Sequence, residues 1–287
     1  MYPNVAYFLN DYFGYPIKGY LSVIQTFGLF ISLCYTITAL LILFEIKSTH
    51  EKFVPHLTEL TQLTVLLFFS TILGSNLFSY LDSNKGILVF NFLGGFTGCI
   101  TSCYFYCLYK KINFLRIVDL SSYPLLLGYA IGRLGCHLSG DGDWGIINIH
   151  PPPQYWILPK HFWAYDYPHN VLRKGVLIKS CEGQYCYILD TPVFPTSLYE
   201  FIICLFLGLI FFLVKKCRKL ATGSLFSAFL ILLGIERFLI EFIKINPKQQ
   251  ILGFSLSQSQ ICSLIMIFIA IGLILNLPSQ IKPKDSQ

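Results

Sequence analysis

Apolar residues fall in long blocks, separated by short polar connections, in seven places: roughly 19 to 45, 58 to 80, 87 to 109, 114 to 133, 197 to 214, 222 to 243 and 259 to 277. A hydrocarbon core about 30 Å thick takes about 20 helical residues. The pattern therefore predicts an all-α polytopic integral membrane protein with seven transmembrane helices, residues 1–287 forming a single transmembrane domain. One connection is far longer than the rest, from about 139 to 196. Basic residues set the orientation. With the amino terminus out, the inner loops and tail hold Lys47, Lys52, Lys110, Lys111, Lys215, Lys216, Arg218, Lys219, Lys282 and Lys284, against Lys18, Lys85, Lys244 and Lys248 in the short outer segments. The carboxyl terminus is then inside, and the long loop is extracytoplasmic. That loop carries all three tryptophans, Trp144, Trp156 and Trp163, with Tyr155, Phe162, Tyr165 and Tyr167, a composition expected of rings lying at headgroup level.

Composition agrees with a membrane protein: 54% of residues are hydrophobic and 13% are charged. The net charge of +6 sits in clusters between apolar runs, where topology explains it, so nucleic acid is excluded as a partner. Residues 1 to 17 lack a basic segment ahead of an apolar one, and no removable signal peptide is expected. Most of the ten cysteines lie in or beside apolar runs. Cys99, Cys103 and Cys107 have helical spacing but no His, Asp or Glu beside them, which favours packing over a metal; no metal site is expected. Cys181 and Cys186 flank a polar turn in the long loop, and outside the membrane such a pair forms a disulfide.

One segment stands apart. Gly132-Arg133-Leu134-Gly135-Cys136-His137-Leu138-Ser139-Gly140-Asp141-Gly142-Asp143-Trp144-Gly145 follows an apolar run and concentrates ionisable residues and glycines at membrane depth, where charge is costly and marks function. Other polar residues reach the same level: Tyr199 and Glu200 at the start of the fifth run, Glu236, Arg237, Glu241 and Lys244 at the end of the sixth, Gln258 and Gln260 at the start of the seventh, Gln25 in the first, and Asn91, Gly94 and Gly95 in the third. Taken singly, each has a plainer reading. Arg237 and Glu241 are i, i+4 partners that neutralise each other, Gly94 and Gly95 suit close helix packing, and Tyr199 suits an interface anchor. Two arginines and several carboxylates at one depth point instead to an anionic ligand or a wet cavity. A phospholipid phosphate in the outer leaflet fits.

On these residues the chain resembles the prolipoprotein diacylglyceryl transferase family. Gly132-Arg133-Leu134-Gly135 through Trp144-Gly145 is similar to its Gly-Arg-x-Gly-Asn-Phe-x-Asn-x-Glu-x-x-Gly signature with one residue more. Phe194 to Glu200 resembles its His-Pro-Ser-Gln-Leu-Tyr-Glu element, Arg237-Phe238-Leu239-Ile240-Glu241-Phe242 its Arg-Phe-x-x-Glu-Phe, and Gln260-Ile261-Cys262-Ser263 its late Gln-x-x-Ser. The departures are Leu93 in place of the histidine of His-Gly-Gly, Cys136 and Ser139 for the two asparagines, Asp141 or Asp143 for the glutamate, and Leu233 for a tyrosine. With the usual histidine base absent, His137 or a carboxylate takes its place, or the activity has changed.

The resemblance implies transfer of a diacylglyceryl group from phosphatidylglycerol to the lipobox cysteine thiol of a prolipoprotein signal peptide, releasing glycerol phosphate, in the bacterial cytoplasmic (inner) membrane. It assigns the phosphate to Arg133 and Arg237, with Arg237 held by Glu241. Asp141, Asp143, His137 and Glu200 are candidates for proton transfer or for orienting the arginines, and Gly94, Gly95, Gly140, Gly145, Tyr199 and Gln260 for substrate contact. No cofactor is needed. Two other readings use the same polar cavity: a membrane carrier or channel for an anion or lipid headgroup, and a homologue that binds lipid or lipoprotein without turnover.

Overall fold

The computed structural model describes residues 1–48, 57–81, 92–217, 220–251 and 253–276. Asn91, Lys52, Lys85, Arg218, Lys219, Lys282 and Lys284, used above for the polar level and the orientation, lie outside the described residues, as does the side chain of Leu93.

Eight α-helices are described: α1 (Val5–Phe13), α2 (Thr26–Ser48), α3 (Leu57–Leu81), α4 (Phe92–Lys110), α5 (Phe114–Ser139), α6 (Thr196–Cys217), α7 (Ser224–Ile240) and α8 (Gln258–Leu275). Four of them, α2, α5, α6 and α8, are long and apolar enough to cross a membrane. Two antiparallel hairpins accompany them: β1 (Val176–Leu177) with β2 (Tyr187–Ile188) inside the long loop, and β3 (Lys248–Ile251) with β4 (Phe254–Ser257) before α8.

Helix α5 is the central element and packs on α2, α6 and α7. It starts at an N-cap, Asn113, whose side chain accepts from the Arg116 N–H. Pro124 interrupts its ladder. Its N-terminal half supplies Asp119, whose carboxylate accepts from the N–H groups of Gly223 at 2.5 Å and Phe226 at 2.7 Å and so caps α7 from another helix. One apolar core joins α5 to α8 through Leu126, Ala130, Cys204, Phe229, Leu230 and Ala270. A second joins α2 to α5 through Ile46, Leu63, Cys107 and Leu120. Near the C-terminal end of α2 the buried Glu45 accepts from the Tyr123 hydroxyl at 2.7 Å and pairs with Lys215 of α6.

Gly94 and Gly95 lie in the α3–α4 contact. A Cβ on Gly74 would come within 2.3 Å of the Gly94 carbonyl oxygen, and one on Gly95 within 3.2 Å of Thr71. Small residues here let two backbones approach.

Two boundaries and the packing of the long loop differ from the sequence reading. The helix expected to stop near 133 runs to Ser139. Glycine weakens an isolated helix, but tertiary packing overrides that preference; Gly135 sits against Phe30, where a Cβ would come within 2.4 Å. The first long helix begins at Thr26, and the residues before it form α1 and a short 3-10 turn, Tyr20–Ser22. The aromatic loop is also less of an open interface than expected. Trp144, Tyr167 and Val193 form a small buried core of their own, while Tyr155 and Ile157 project outward, 84% and 94% exposed.

Candidate active site

The site is assembled from one end of helices α5, α6 and α7, with Ser259 of α8 and two connecting segments. Tyr129 and Arg133, one turn apart on α5, lie together, the guanidinium 4.8 Å from the ring centroid. Beyond Ser139 the helix is closed by Gly140, whose φ of 64° is the left-handed conformation that favours glycine. The chain turns at once: the Asp143 N–H donates to the Asp141 side chain at 3.2 Å, an Asx turn. It then runs between two other segments, with Gly145 N–H donating to Phe194 and Ile146 N–H to Ile243. This approach is so close that a Cβ on Gly145 would come within 2.6 Å of the Ile243 carbonyl oxygen. The result is to set Asp143 beside Lys244, the residue that follows α7 by a few positions.

Charges interlock around Glu200 of α6, which is fully buried. Its Oε1 accepts from Arg237 Nη1 at 2.5 Å, and its Oε2 lies 3.0 Å from Lys244 Nζ and 3.4 Å from Arg133 Nε. Asp143 pairs with Arg133 and, at 2.5 Å, with Lys244 Nζ. The Tyr129 hydroxyl accepts from Arg237 at 2.9 Å and donates to Glu200 at 3.3 Å. Arg237 also donates to Ser259 of α8 at 3.3 Å. Three cations thus face two shared carboxylates. The edge at Arg133 and Asp143 is the more open one, with 15% and 25% of those side chains exposed.

The two aspartates of the turn are driven apart. Burial raises Asp141, an effect only partly offset by a hydrogen bond with Cys136. Burial acts on Asp143 in the same sense, but Arg133 and Lys244 overcome it and hold the carboxyl down at about 2.

Several sequence candidates converge here: Arg133, Asp143, Glu200 and Arg237, with Gly140 and Gly145 shaping the turn. Others have different neighbours. The carboxylate facing Arg237 is Glu200 of the preceding helix, in place of Glu241, which accepts from Asn246 at 2.6 Å. His137 faces aromatic residues of the loop, its Nδ1 3.2 Å from the Tyr167 hydroxyl and its ring against Tyr165. The Tyr199 hydroxyl donates to the Phe162 carbonyl at 2.7 Å and ties α6 to the loop. Gln260 closes a capping box with Ser257 at the start of α8. Gly94 and Gly95 belong to the α3–α4 contact described above. Cys181 and Cys186 are joined in a disulfide. Leu233, the residue standing where the resemblance has tyrosine, borders a cavity of about 20 Å³ with Tyr129, Arg237 and Ser259, room for about one water.

Lys244 and Tyr129 were not read from the sequence as site residues. Tyr129 had a signal, its i, i+4 spacing from Arg133. Lys244 was counted both among the outer basic residues and among the polar residues at this depth, but it was given no role in the site.

A family model described as prolipoprotein diacylglyceryl transferase matches residues 17–276. A phosphatidylglycerol–prolipoprotein diacylglyceryl transferase of Clostridium novyi (strain NT) is 31% identical over 193 residues, 67% of this chain and 64% of that protein, so the alignment spans a little less than two thirds of that relative. A protein of the same description from Clostridium botulinum (strain Loch Maree / Type A3) is 28% identical over 273 residues, 88% of this chain and 92% of its own length. Another, from Lysinibacillus sphaericus (strain C3-41), is 28% identical over 200 residues, 70% of this chain and 64% of the relative. With a match spanning most of its length, the chain belongs to the prolipoprotein diacylglyceryl transferase family.

Proposed function

We propose that this chain is a phosphatidylglycerol-dependent transferase that moves a diacylglyceryl group onto the cysteine thiol of a prolipoprotein, forming a thioether and releasing glycerol phosphate. The observation that carries the reading is the convergence of Arg133 and Arg237, from two different helices, on one buried carboxylate. In the reaction the sulfur attacks the glyceryl carbon, the carbon–oxygen bond to phosphate breaks, and the phosphate gains a negative charge. Guanidinium groups already in place stabilise that charge without reorganising. Arginine suits the task because its planar fork matches a phosphate and stays charged. Glu200 and Asp143 hold the three cations together before substrate arrives.

In this reading Arg133, Arg237 and Lys244 take the phosphate, and the turn from Gly140 to Gly145 borders the headgroup. The protein is multi-pass in the bacterial cytoplasmic membrane with seven spanning helices, the amino terminus outside and the loop of residues 139–196 extracytoplasmic, within a single domain. The substrate thiol belongs to the lipobox cysteine of a signal peptide that reaches the site from the bilayer.

The test uses protein reconstituted with phosphatidylglycerol and a lipobox peptide, with lipopeptide and glycerol phosphate measured together by mass spectrometry. Equal amounts of both are expected. Arg133→Ala and Arg237→Ala should each lower turnover at least 10²-fold, the scale of losing one preplaced donor. Solute flux through the vesicles in place of either product would favour a carrier and overturn the proposal.

A further inference from the structure

The acidic groups around Arg133 and Arg237 are almost all spoken for. Asp143 is shared by Arg133 and Lys244, and Glu200 by Arg133, Arg237 and Lys244. Asp141 accepts from the Asp143 N–H, and Glu241 from Asn246. Glu236 differs. It is 6% exposed, sits on α7 next to Arg237, and neither of its carboxylate oxygens has a hydrogen-bond partner among the described residues. The charged and titratable groups that act on it or feel it are Tyr129 and Arg133 of α5, Glu200 and Cys204 of α6, Arg237 of its own helix, and Lys244. An unpartnered buried carboxyl is costly and is kept where it has a use. Here it combines two unpartnered oxygens with a place among the groups of the site, in a family member whose sequence puts Leu93 where the resemblance expects the base.

We propose that Glu236 is the general base of the transfer, an inference that rests on the function proposed above. As sulfur forms its bond to the glyceryl carbon, the thiol proton passes to the Glu236 carboxylate. The electron pair of the broken carbon–oxygen bond leaves with glycerol phosphate. The proton then returns to water, and no further reactant is required.

The experiment compares wild type, Glu236→Gln and Glu236→Asp in the reconstituted assay, with a lipobox cysteine peptide and the same peptide carrying selenocysteine. A selenol is ionised near neutral pH and needs no base. Loss of the base should slow the cysteine reaction of Glu236→Gln at pH 7 by about 10²–10⁴-fold. The deficit should narrow as pH rises past about 8.5, where a free thiol ionises unaided, and should be largely absent with the selenocysteine peptide. Glu236→Asp, which keeps the carboxylate, should retain measurable turnover, and it carries the test if the glutamine variant does not fold. A Glu236→Gln enzyme as fast as wild type, or one equally slow with both peptides at every pH, overturns the assignment and leaves the transferase reading standing. Wild type yielding neither product overturns that reading, and the assignment with it.

Discussion

Glu200 meets three cations with two oxygens, and in a buried setting that makes it the residue whose loss is felt most. Glu200→Gln keeps the volume but removes the buried negative charge that Arg133, Arg237 and Lys244 share. The expected cost is about 3–5 kcal/mol, read as a fall in thermal unfolding temperature in detergent, alongside loss of turnover. Asp143 yields a pH prediction. Its carboxyl is held at about 2, below an ordinary 3.8, so the stabilisation is complete above the ordinary value and is lost as pH falls through the depressed one. The stability gap between wild type and Asp143→Asn should stay constant from neutral pH down to about 4, at on the order of 2 kcal/mol, and close near pH 2. A gap that closed already near pH 5 would contradict the pairing with Arg133 and Lys244. Arg133, Glu200 and Arg237 were legible in the sequence because a charge inside an apolar run is conspicuous. Their partners were less so. Helical spacing joins Arg237 to Glu241, but the carboxylate it meets comes from α6, and a rule confined to one helix has no view of a neighbour. His137 is one turn from Arg133, yet its ring is taken up by Tyr165 and Tyr167, residues some thirty positions away.

At the level of elements, the long apolar runs were read well and their ends were not. The fourth run was expected to end near 133, whereas α5 passes through Gly132 and Gly135 to Ser139. The two differ in what surrounds them. Nothing lies within 4 Å of a Cβ on Gly132, while one on Gly135 would meet Phe30 of α2 at 2.4 Å. Gly132→Ala should therefore leave stability unchanged or raise it by up to about 1 kcal/mol. Gly135→Ala should lower it by about 1–3 kcal/mol through overpacking. Chemical denaturation of the two variants in one detergent would separate them, and equal effects would contradict the α2–α5 contact. The N-terminus of α7 shows what sequence pattern cannot supply. The N–H groups of its N-cap, Gly223, and of Phe226 are satisfied by Asp119, about a hundred residues earlier on α5. α1 and the β1–β2 hairpin were missed because they are short and lack a sustained hydrophobic period. The hairpin nonetheless reaches back to α1, where the Tyr185 N–H donates to the Tyr7 hydroxyl at 3.3 Å.

For the molecule as a whole, α5 and α6 are pinned at two depths, by Glu200 with Arg133 at one end and by Lys215 with Glu45 and Tyr123 at the other. Glu200 and Lys215 are fifteen residues apart on one continuous helix, which at 1.5 Å per residue is about 22 Å. That is shorter than a hydrocarbon layer of about 30 Å. In the proposed orientation both polar levels cannot reach both boundaries of an ordinary bilayer at once. Either the bilayer thins around the bundle or a lipid headgroup sinks several ångströms to reach Arg133 and Arg237, and each costs fractions of a kcal/mol per ångström of mismatch. Membrane thickness then becomes a determinant of rate: turnover should be faster in vesicles built from short-chain lipids than from long-chain ones, at equal phosphatidylglycerol content.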